Sequence, residues 1–472
     1  MSVYAMLHKE YALPKFSFRL LVMALLLVLL PNVAFLSAAY FTNTARPLLN
    51  LDYFWAALLF VLPWRFAKFT GLLLFWLAAL FDTLMMVMQL FPFMDLLGAI
   101  YLAPFIMKAP FLYQALTVFL LGYLFLIPMF LGKIAGKTNI YHVLYVCVPL
   151  FVAAYFTGHL QYHHRSNVAI LFGGNNFYYA KSQYALYREN QDFDFLKAAD
   201  NEPVLLEESR ERASLRLSKP TAKKILFIVN ESWGQPKNSK LQDAVLEKIY
   251  AEKSLFSQVE TGYFRAIGAT VEGELRELCG FGGARGFSFR RTPAEKFSKC
   301  MPNILQKQGY KTIALHGASG QLYDRYAWYP KAGFNKIQTA EYMMGKPTCE
   351  AFGGVCDRVL YDEVKQGFRQ NDKLFFYWLT LSTHADYSEK DLYNQRLKCE
   401  DFQLPSDTLL CRNFRLQAQF FDGLAALLKQ PEMKGAEVIV VGDHSPPVIN
   451  IGEVFKYLEE GDVAWLHLKV KE

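Results

Sequence analysis

EVIVVGDHSPP, residues 437–447, is the stretch that decides the fold of the C-terminal half of this chain. Val438–Val441 is a continuous run of β-branched residues, which predicts a strand buried on both faces. Gly442 ends the run, Asp443 and His444 follow at once, and two prolines prevent any extension. Because ligands bind beyond the carboxyl ends of parallel strands, we expect Asp443 and His444 to face such a crevice. A capping Asp beside a surface His is the alternative for this pair taken alone.

Three other apolar runs in the same half also end in residues that can bind metals or transfer protons. Lys224–Asn230 precedes Glu231, Lys311–Leu315 precedes His316, and Leu374–Leu381 precedes Ser382, Thr383 and His384. A further strand-like segment is Gly262–Thr270, and segments with helical periodicity lie between the strands: Leu241–Lys253, Pro302–Gln308, Arg358–Arg369 and Phe414–Lys429. This alternation predicts an α/β domain whose central sheet is mainly parallel and covered on both faces. The strand-ending residues should then share one edge of the sheet.

Glu231, Asp443 and His444 together offer two carboxylates and one imidazole, a set suited to a divalent cation such as Zn²⁺ or Mn²⁺. A bound metal can activate a hydroxyl and neutralise charge on a phosphoryl oxygen. Thr270 is the candidate hydroxyl, because it follows Gly268 and Ala269 at a predicted helix N-terminus that favours an anion. An ordinary N-cap is the alternative role for Thr270.

The remaining polar residues of this region suit the substrate side of such a site. Of His316 and His384, one is suited to protonate a leaving alkoxide and the other to hold phosphate oxygens. Arg325 offers a bidentate phosphate contact. We expect Tyr323 and Trp328 to be packing residues.

Composition divides the 472 residues sharply. The chain is mostly apolar before about Gly158 and has ordinary globular composition afterwards. We therefore predict a transmembrane domain over residues 1–158, an interfacial connector over 159–220 and an extracytoplasmic catalytic domain over 221–472. The net charge of +7 has no Lys/Arg-rich tract to concentrate it, which favours a membrane surface over nucleic acid as a partner.

Five membrane spans are predicted from length and hydropathy: Leu20–Tyr40, Leu51–Trp64, Thr70–Phe91, Phe111–Leu131 and Tyr141–Thr157. Cations precede the first span and lie between the second and third and between the fourth and fifth, at Lys9, Lys15, Arg19, Arg65, Lys68, Lys133 and Lys137. The alternate loops hold only Arg46 and Lys108. The positive-inside rule then places the N-terminus in the cytoplasm and the C-terminal domain outside.

Two polar features of the apolar half and the connector are better explained by structure than by transport or metal binding. Asp82, an acid within the third predicted span, favours a structural role or a lipid-headgroup contact over a transport pathway. His163 and His164 lack nearby Cys or carboxylate ligands, which favours interfacial histidines over a metal site. The connector Tyr162–Leu217 mixes aromatics with cations and suits an amphipathic helix at the headgroup level.

Six of the seven cysteines fall in the domain predicted to lie outside: Cys279, Cys300, Cys349, Cys356, Cys399 and Cys411. An even number there is typical of disulfides in an oxidising compartment such as a bacterial periplasm. Close spacing favours Cys349–Cys356 and Cys399–Cys411, which leaves Cys279–Cys300, although six cysteines allow fifteen pairings. No CxxC-type pair points to a zinc–thiolate site instead.

As a set, these motifs resemble a known group of proteins. The membrane half, ESWG (231–234), GATVEGE (268–274), LHG (315–317) with YDR (323–325), LSTH (381–384) and GDHSPP (442–447) are similar to the lipoteichoic-acid synthases and phosphoethanolamine transferases of the alkaline-phosphatase/sulfatase superfamily. The resemblance implies that Glu231, Thr270, Asp443 and His444 hold the metal and that His316, Arg325 and His384 surround the substrate. It also implies that Thr270 takes a phospho-alcohol from a membrane phospholipid, releases diacylglycerol and passes the group to a glycan hydroxyl.

This sequence departs in places from the motifs of the proteins that it resembles, and these departures narrow the range of functions that the resemblance implies. Residues 279–285, CGFGGAR, do not fit the C/S-x-P/A-x-R signature of a formylglycine nucleophile, so sulfate-ester hydrolysis is disfavoured. The first motif is NES rather than a GET type, and the tail after residue 463 holds only His467, which departs from phosphoethanolamine transferases. Predicted disulfides in an outer domain nevertheless suit a Gram-negative periplasm, where ethanolamine lipids are plentiful.

We therefore expect an enzyme of the bacterial inner membrane that transfers phosphoethanolamine from phosphatidylethanolamine to an envelope glycan or lipid. Phosphoglycerol transfer from phosphatidylglycerol is the close alternative. A non-catalytic membrane scaffold and a transporter are further alternatives, the last motivated only by the spans and Asp82. We expect a monomer with no nucleic-acid partner.

Overall fold

The computed structural model describes residues 15–44, 46–91, 94, 96–160, 180–190, 204–205, 210–219, 221–282, 289–290 and 292–472. His163, His164 and most of the predicted connector helix lie outside the described residues. The chain divides into two compact units, one formed by residues 1–89 and 115–193 and the other by residues 90–114 and 194–472. The domain limits at 158 and 220 stay predictions.

The first unit is helical, with helices at Phe18–Thr42, Asp52–Phe60, Arg65–Leu90, Phe111–Ala135 (whose first turn belongs to the second unit), Ile140–Leu160 and Gln183–Asn190. Leu49–Asn50 and Ala180–Lys181 pair as two short parallel strands.

Within the described residues, three helices are long and apolar enough to cross a membrane: Phe18–Thr42, Arg65–Leu90 and Phe111–Ala135. The predicted span Leu51–Trp64 contains a helix of only 9 residues, well short of the ~20 that a bilayer requires. The fifth predicted span coincides with Ile140–Leu160, of which a shorter apolar stretch, Ile140–Ala153, is described. Three spans are supported, and the number five stays a prediction.

Asp82, within the third predicted span, lies in a buried polar cluster. Its two carboxylate oxygens accept hydrogen bonds from Nε and Nη2 of Arg46, both at 2.7 Å. The side-chain amide of Gln183 donates to Asp82 at 2.8 Å, and that of Asn50 at 3.3 Å. A neutralised and hydrogen-bonded acid agrees with a structural role rather than a transport pathway.

The second unit is built on an eight-stranded sheet. Its strands are β1 Lys224–Asn230, β2 Gly234–Pro236, β3 Phe256–Arg265, β4 Lys311–His316, β5 Lys336–Gln338, β6 Leu374–Leu379, β7 Glu437–Gly442 and β8 Leu458–Val470. Their spatial order is β2-β8-β7-β1-β6-β4-β5, and β3 also pairs with β8.

The sheet is mixed rather than mainly parallel throughout. The adjacent strands β7, β1, β6, β4 and β5 are parallel, as predicted. Strand β8 is antiparallel to β7, and both β2 and β3 are antiparallel to β8. The prediction of a strand over Gly262–Thr270 is wrong beyond Arg265. Its first four residues form the end of the antiparallel strand β3, which stops at Arg265.

Eight helices follow in the same unit: α1 Ser239–Val245, α2 Glu247–Ala251, α3 Thr270–Cys279, α4 Met301–Lys307, α5 Arg325–Ala332, α6 Asp357–Gln370, α7 Leu409–Leu428 and α8 Ile451–Tyr457. A further helix, Leu96–Leu102, contributes Tyr101, whose ring stacks on Tyr323 at 6.3 Å. The short strands Val204–Leu205 and Phe281–Gly282 pair apart from the main sheet.

Alternating side chains of the parallel strands fill two cores, one on each face of the sheet. Leu226, Val438 and Trp378 pack with the α7 side, whereas Phe227 and Ile439 pack with the α3 side. Every residue of β6 and β7 is buried. Strands buried on both faces explain why these runs are uniformly apolar in the sequence.

The structure forms three disulfides: Cys349–Cys356 and Cys399–Cys411, which close spacing favoured, and Cys279–Cys300, the pair that remained. Cys147 is free and buried. The Cys399–Cys411 bridge ties a loop to the first turn of α7, so it restricts the unfolded chain as well as anchoring the folded one.

We predict that the double substitution Cys399→Ala/Cys411→Ala lowers the free energy of unfolding of the second unit by roughly 2–4 kcal/mol, because the bridge limits unfolded-state entropy. Chemical unfolding of the full chain measures this. Cys147→Ala is the matched control and should leave the unfolding of the second unit unchanged. Identical midpoints with and without the bridge would contradict the prediction.

Candidate metal centre

Four neighbouring parallel strands end together at one edge of the sheet. Gly442 lies opposite Asn230 across β7 and β1, and Leu379 lies opposite both Val229 and His316. The residues that follow these positions therefore emerge side by side. This register brings together the strand-ending residues that the sequence placed on one edge.

Glu231, Asp443 and His444 form a buried cluster at this edge. His444 Nε2 lies 3.3 Å from Glu231 Oε1 and 3.3 Å from Asp443 Oδ2. Each of the three offers one donor atom, and these atoms all lie within 4.8 Å of one another. In the described part of the chain, no other set of His, Cys, Asp and Glu residues does so.

The local backbone leaves the right atoms of this cluster available to a cation. The backbone N–H groups of Ser232 and His444 both donate to Asp443 Oδ1 at 2.8 Å. Asp443 Oδ2 is fully buried and accepts no hydrogen bond from the described residues. His444 Nδ1 lies 2.9 Å from the Ser445 carbonyl, so the neutral ring that a cation would require carries its lone pair on Nε2. Two carboxylates and an imidazole so arranged fit a divalent cation.

Thr270 adds a hydroxyl to the cluster from a different element. It is the first residue of α3, after the N-cap residue Ala269. Its Oγ1 lies 3.3 Å and 3.4 Å from the two carboxylate oxygens of Glu231. Gly268, with φ +154°, makes the turn into the helix, where a Cβ would meet the Glu272 carboxylate. The side chain of Thr270 therefore points at the carboxylate cluster and does not act as the N-cap.

The two buried carboxylates of this cluster are electrostatically unfavourable neighbours when no cation is bound. Burial and the adjacent Glu231 carboxylate raise the pKa of Asp443 to about 7. Burial opposes the charge of His444, but Asp443 and Glu231 outweigh it and raise its pKa to about 9. Adjacent buried carboxylates repel each other, and a cation relieves that repulsion.

The residues predicted to contact substrate lie in different surroundings. His316 is buried, and its Nδ1 lies 3.1 Å from the Leu379 carbonyl. Burial and the Arg325 charge lower its pKa to about 3, so the ring is neutral near pH 7. His384 is half-buried, and its ring centroid lies 4.5 Å from that of Phe352.

Arg325, predicted as a phosphate contact, is buried and pairs with Glu274 at 2.8 Å. Its guanidinium is thus directed to protein acceptors in this structure. Trp328 and Tyr323 are buried, as expected of packing residues.

Several residues that hold the site were not anticipated from the sequence. Gln417 donates to the Glu231 carbonyl at 3.0 Å, and Asn413 donates to the Ser232 carbonyl at 3.2 Å. Thr380 Oγ1 accepts the Glu231 N–H at 2.9 Å. Ser232 takes a φ of 57°, which turns the chain toward Asp443. For two of these residues the sequence contains a signal: Asn413 and Gln417 are polar and lie four residues apart on the otherwise apolar face of α7.

Comparison with known proteins gives one family match and one curated relative. The family model described as Sulfatase matches residues 224–466, just over half of the chain. A putative cyclic β-1,2-glucan modification protein of Rhizobium meliloti (strain 1021) is 24% identical over 200 residues, which cover 41% of this chain and 31% of that protein. The chain thus matches about a third of the length of that relative.

Similar solved structures include two enzymes of the groups that the motifs resemble. The lipoteichoic acid synthase LtaP from Listeria monocytogenes is 17% identical with a TM-score of 0.42, covering 58% of this chain and 71% of that one. The integral membrane protein lipooligosaccharide phosphoethanolamine transferase A from Neisseria meningitidis is 12% identical with a TM-score of 0.38, covering 93% and 89%. The family match confirms the sulfatase-family part of the predicted resemblance.

We predict that Gly273→Ala lowers the affinity for Zn²⁺ or Mn²⁺ by about tenfold or more, since coordination tolerates little displacement of a ligand. A Cβ at Gly273 in α3 would come within 2.7 Å of Asp443 Cβ, so either the helix or the aspartate must move. Isothermal titration of the full chain measures the affinity.

Gly132→Ala is the control for this substitution, because Gly132 also lies in a helix and a Cβ added there would meet nothing within 4 Å. Equal metal affinity in the two variants would contradict the placement of α3 against the metal centre.

Proposed function

This chain belongs to the sulfatase family, and from that premise we propose that it is a metal-dependent transferase that moves a phospho-alcohol from a membrane phospholipid to an envelope glycan or lipid. The observation that carries the proposal is the Thr270 hydroxyl, which lies at a helix N-terminus beside Glu231, Asp443 and His444. A nucleophile, a set of cation ligands and an anion-favouring helix end suit phosphoryl transfer.

The disulfides argue against sulfate-ester hydrolysis despite the family's description. Cys279, the cysteine nearest to Thr270 in the sequence, is bonded to Cys300 and is therefore not available for conversion to formylglycine. The hydroxyl that faces the cluster belongs to Thr270 instead. This supports a serine/threonine-type covalent mechanism on phosphorus.

In the proposed site, Glu231, Thr270, Asp443 and His444 hold one or more divalent cations, Zn²⁺ or Mn²⁺. A cation bound there makes a hydroxyl more acidic and neutralises negative charge on phosphoryl oxygens. The first backbone N–H groups of a helix lack acceptors within the helix, so the start of α3 at Thr270 favours the phosphate. Glu231 accepts from the Thr270 hydroxyl and keeps it oriented.

The reaction then takes two displacements at phosphorus. Thr270 Oγ1 loses its proton and bonds to phosphorus, the P–O bond to diacylglycerol breaks, and the diacylglycerol oxygen gains a proton. An acceptor hydroxyl next loses its proton and bonds to phosphorus, the P–O bond to Thr270 breaks, and the Thr270 oxygen regains a proton. Each displacement exchanges one alkoxide for another, so no hydrolysis or redox partner is required.

The two histidines suit different parts of this cycle. The neutral His316 ring uses Nδ1 on the Leu379 carbonyl, which leaves Nε2 as a hydrogen-bond acceptor. His384 is more exposed and lies near Glu231: burial opposes the charge of that carboxyl, but electrostatic interaction with His384 and His444 outweighs burial and lowers its pKa to about 2. We therefore propose His384 as the group that protonates the leaving alkoxide and His316 as an acceptor for a substrate hydroxyl.

A cleft lined in part by Phe352, whose ring lies against that of His384, supplies room for substrate. It has a volume of about 700 Å³ and belongs wholly to the second unit. Met107, Phe111 and Phe352 line it with apolar surface, while Glu341 and Asp386 line it with carboxylates. Acidic groups favour the ammonium of ethanolamine over uncharged glycerol. This supports phosphatidylethanolamine as donor, with phosphatidylglycerol as the alternative that the motif around Thr270 favours.

We place the enzyme in the bacterial inner membrane with its catalytic domain in the periplasm. The three disulfides and the cation distribution support this placement. The scaffold alternative is less favoured, because the cluster is assembled rather than dispersed. The transporter alternative is less favoured, because Asp82 is neutralised by Arg46.

We predict that Thr270→Ala lowers transfer from a fluorescent phosphatidylethanolamine or phosphatidylglycerol by at least about a hundredfold, because the nucleophilic oxygen is removed. Thr270→Ser keeps an oxygen and should retain measurable transfer. Release of diacylglycerol by the full-length protein in detergent is the measurement. Wild-type transfer in a folded Thr270→Ala variant would contradict the proposal.

Mass spectrometry of envelope glycans and lipids from cells with and without the protein identifies both the donor and the acceptor. We expect a phosphoethanolamine group that disappears with the protein. A phosphoglycerol group would select the alternative donor, and no change in any envelope component would contradict the transferase.

A further inference from the structure

Helix α3 carries Thr270 and is fastened to the metal centre through Arg276. Arg276 Nη1 donates to the Asp443 carbonyl at 3.1 Å, and Nη2 donates to the Gly442 carbonyl at 2.9 Å. These carbonyls lie at and beyond the end of β7, where ladder pairing stops, so a donor is needed from outside the sheet. Gly273 on the same helix allows close approach to Asp443. The contacts of Arg276 and Gly273 thus join the helix that carries Thr270 to Asp443, a predicted metal ligand.

A second set of contacts joins the same helix to α5. Glu274 is buried, and its Oε2 accepts from Arg325 Nε at 2.9 Å and lies 2.8 Å from Nη2. The Tyr377 hydroxyl donates to Glu274 Oε1 at 2.9 Å, and the Tyr329 hydroxyl donates to the same oxygen. Both oxygens of the buried Glu274 carboxylate thereby accept hydrogen bonds. Separating the Glu274–Arg325 ion pair would therefore be costly.

The spacing on the helix ties the second set of contacts to the nucleophile. Glu274 lies four residues after Thr270, about one helical turn. Fixing Glu274 therefore fixes the turn that presents the Thr270 hydroxyl to Glu231. The guanidinium of Arg325 directs its third nitrogen, Nη1, to the Leu322 carbonyl at 3.4 Å. Each of the three nitrogens of Arg325 thus has a protein acceptor, which uses three of its five N–H donors, and the side chain is buried.

We propose that Glu274, Arg325 and Arg276 are positioning residues, which clamp α3 from two sides and hold the Thr270 hydroxyl against the metal centre. Arg325 acts through Glu274 and does not bind the phosphate of the substrate, which departs from the role that the family resemblance implies. The proposal deepens the proposed function and rests on it for its kinetic test.

The kinetic test is a double-mutant cycle of Glu274→Gln and Arg325→Met in the full-length protein, with fluorescent phosphatidylethanolamine and phosphatidylglycerol as donors. Each single substitution should lower kcat by about tenfold or more and leave KM within about twofold, because neither residue touches the substrate. The double variant should be no slower than the worse single variant, because the two residues act as one unit. Arg325→Lys keeps the charge and should recover part of kcat.

Arg396→Met with Asp422→Asn is the matched control. That ion pair, at 2.8 Å, also joins an arginine to a helical carboxylate but touches none of the proposed site residues. Its loss should leave kcat unchanged. A raised KM in Arg325→Met with little change in kcat, or singles whose effects multiply in the double variant, would show that Arg325 binds substrate and would overturn the proposal.

A second measurement does not depend on turnover. With Co²⁺ as the probe, the visible absorption of the metal centre reports its ligands and geometry. We expect Arg325→Met to give the spectrum of Thr270→Ala, with a Co²⁺ affinity within about threefold of wild type, because only the hydroxyl is displaced. A wild-type spectrum in Arg325→Met would overturn the proposal. If wild type transfers neither lipid, the proposed function fails while these spectra still decide the positioning role.

Tyr329→Phe with Tyr377→Phe covers the case in which Arg325→Met does not fold. These substitutions remove two hydroxyl donors from Glu274 with little change in volume. They should lower kcat by about two- to fivefold with KM unchanged and shift the Co²⁺ spectrum in the same direction. Wild-type kcat and spectrum in this folded variant would contradict the clamp.

Discussion

Two carboxylates, Glu231 and Asp443, lie buried beside the His444 imidazole at the ends of adjacent parallel strands. Such an arrangement is unfavourable unless a cation or a dense set of hydrogen bonds compensates for the repulsion. Much of the local structure follows from this constraint. The Ser232 N–H donates to Asp443 Oδ1, and the N-terminus of α3 places the Thr270 hydroxyl beside the Glu231 carboxylate. The polar residues of α7 hold the backbone carbonyls of the turn that carries Glu231.

The sequence was sufficient for the parts of the fold that depend on local pattern. Uniform apolar runs ending at Glu231, His316 and Asp443 identify strands buried on both faces, and such strands are parallel where helices separate them. The antiparallel strands β8 and β3 were not recognised as one edge of the sheet. Strand direction there depends on the path of the chain, and β3 is largely exposed, so its residues show no continuous apolar run.

The candidate site shows the same division between local and long-range information. Glu231, Asp443 and His444 follow strands and could be identified from the sequence. The role of Ser232 depends on its positive φ angle, which no residue pattern predicts. Arg325 was assigned to phosphate because its partner could not be known. Glu274 lies 51 residues away in the sequence, and only the packing of α3 against α5 brings the two charges together.

The central claim is that the Thr270 oxygen becomes covalently bonded to phosphorus during the reaction. The most direct measurement is peptide mass spectrometry of the full-length protein after incubation with isotope-labelled phosphatidylethanolamine and phosphatidylglycerol in the absence of an acceptor. We expect the peptide that contains Thr270 to carry the labelled phospho-alcohol while diacylglycerol is released. Release of diacylglycerol from a protein whose Thr270 stays unmodified would contradict the account.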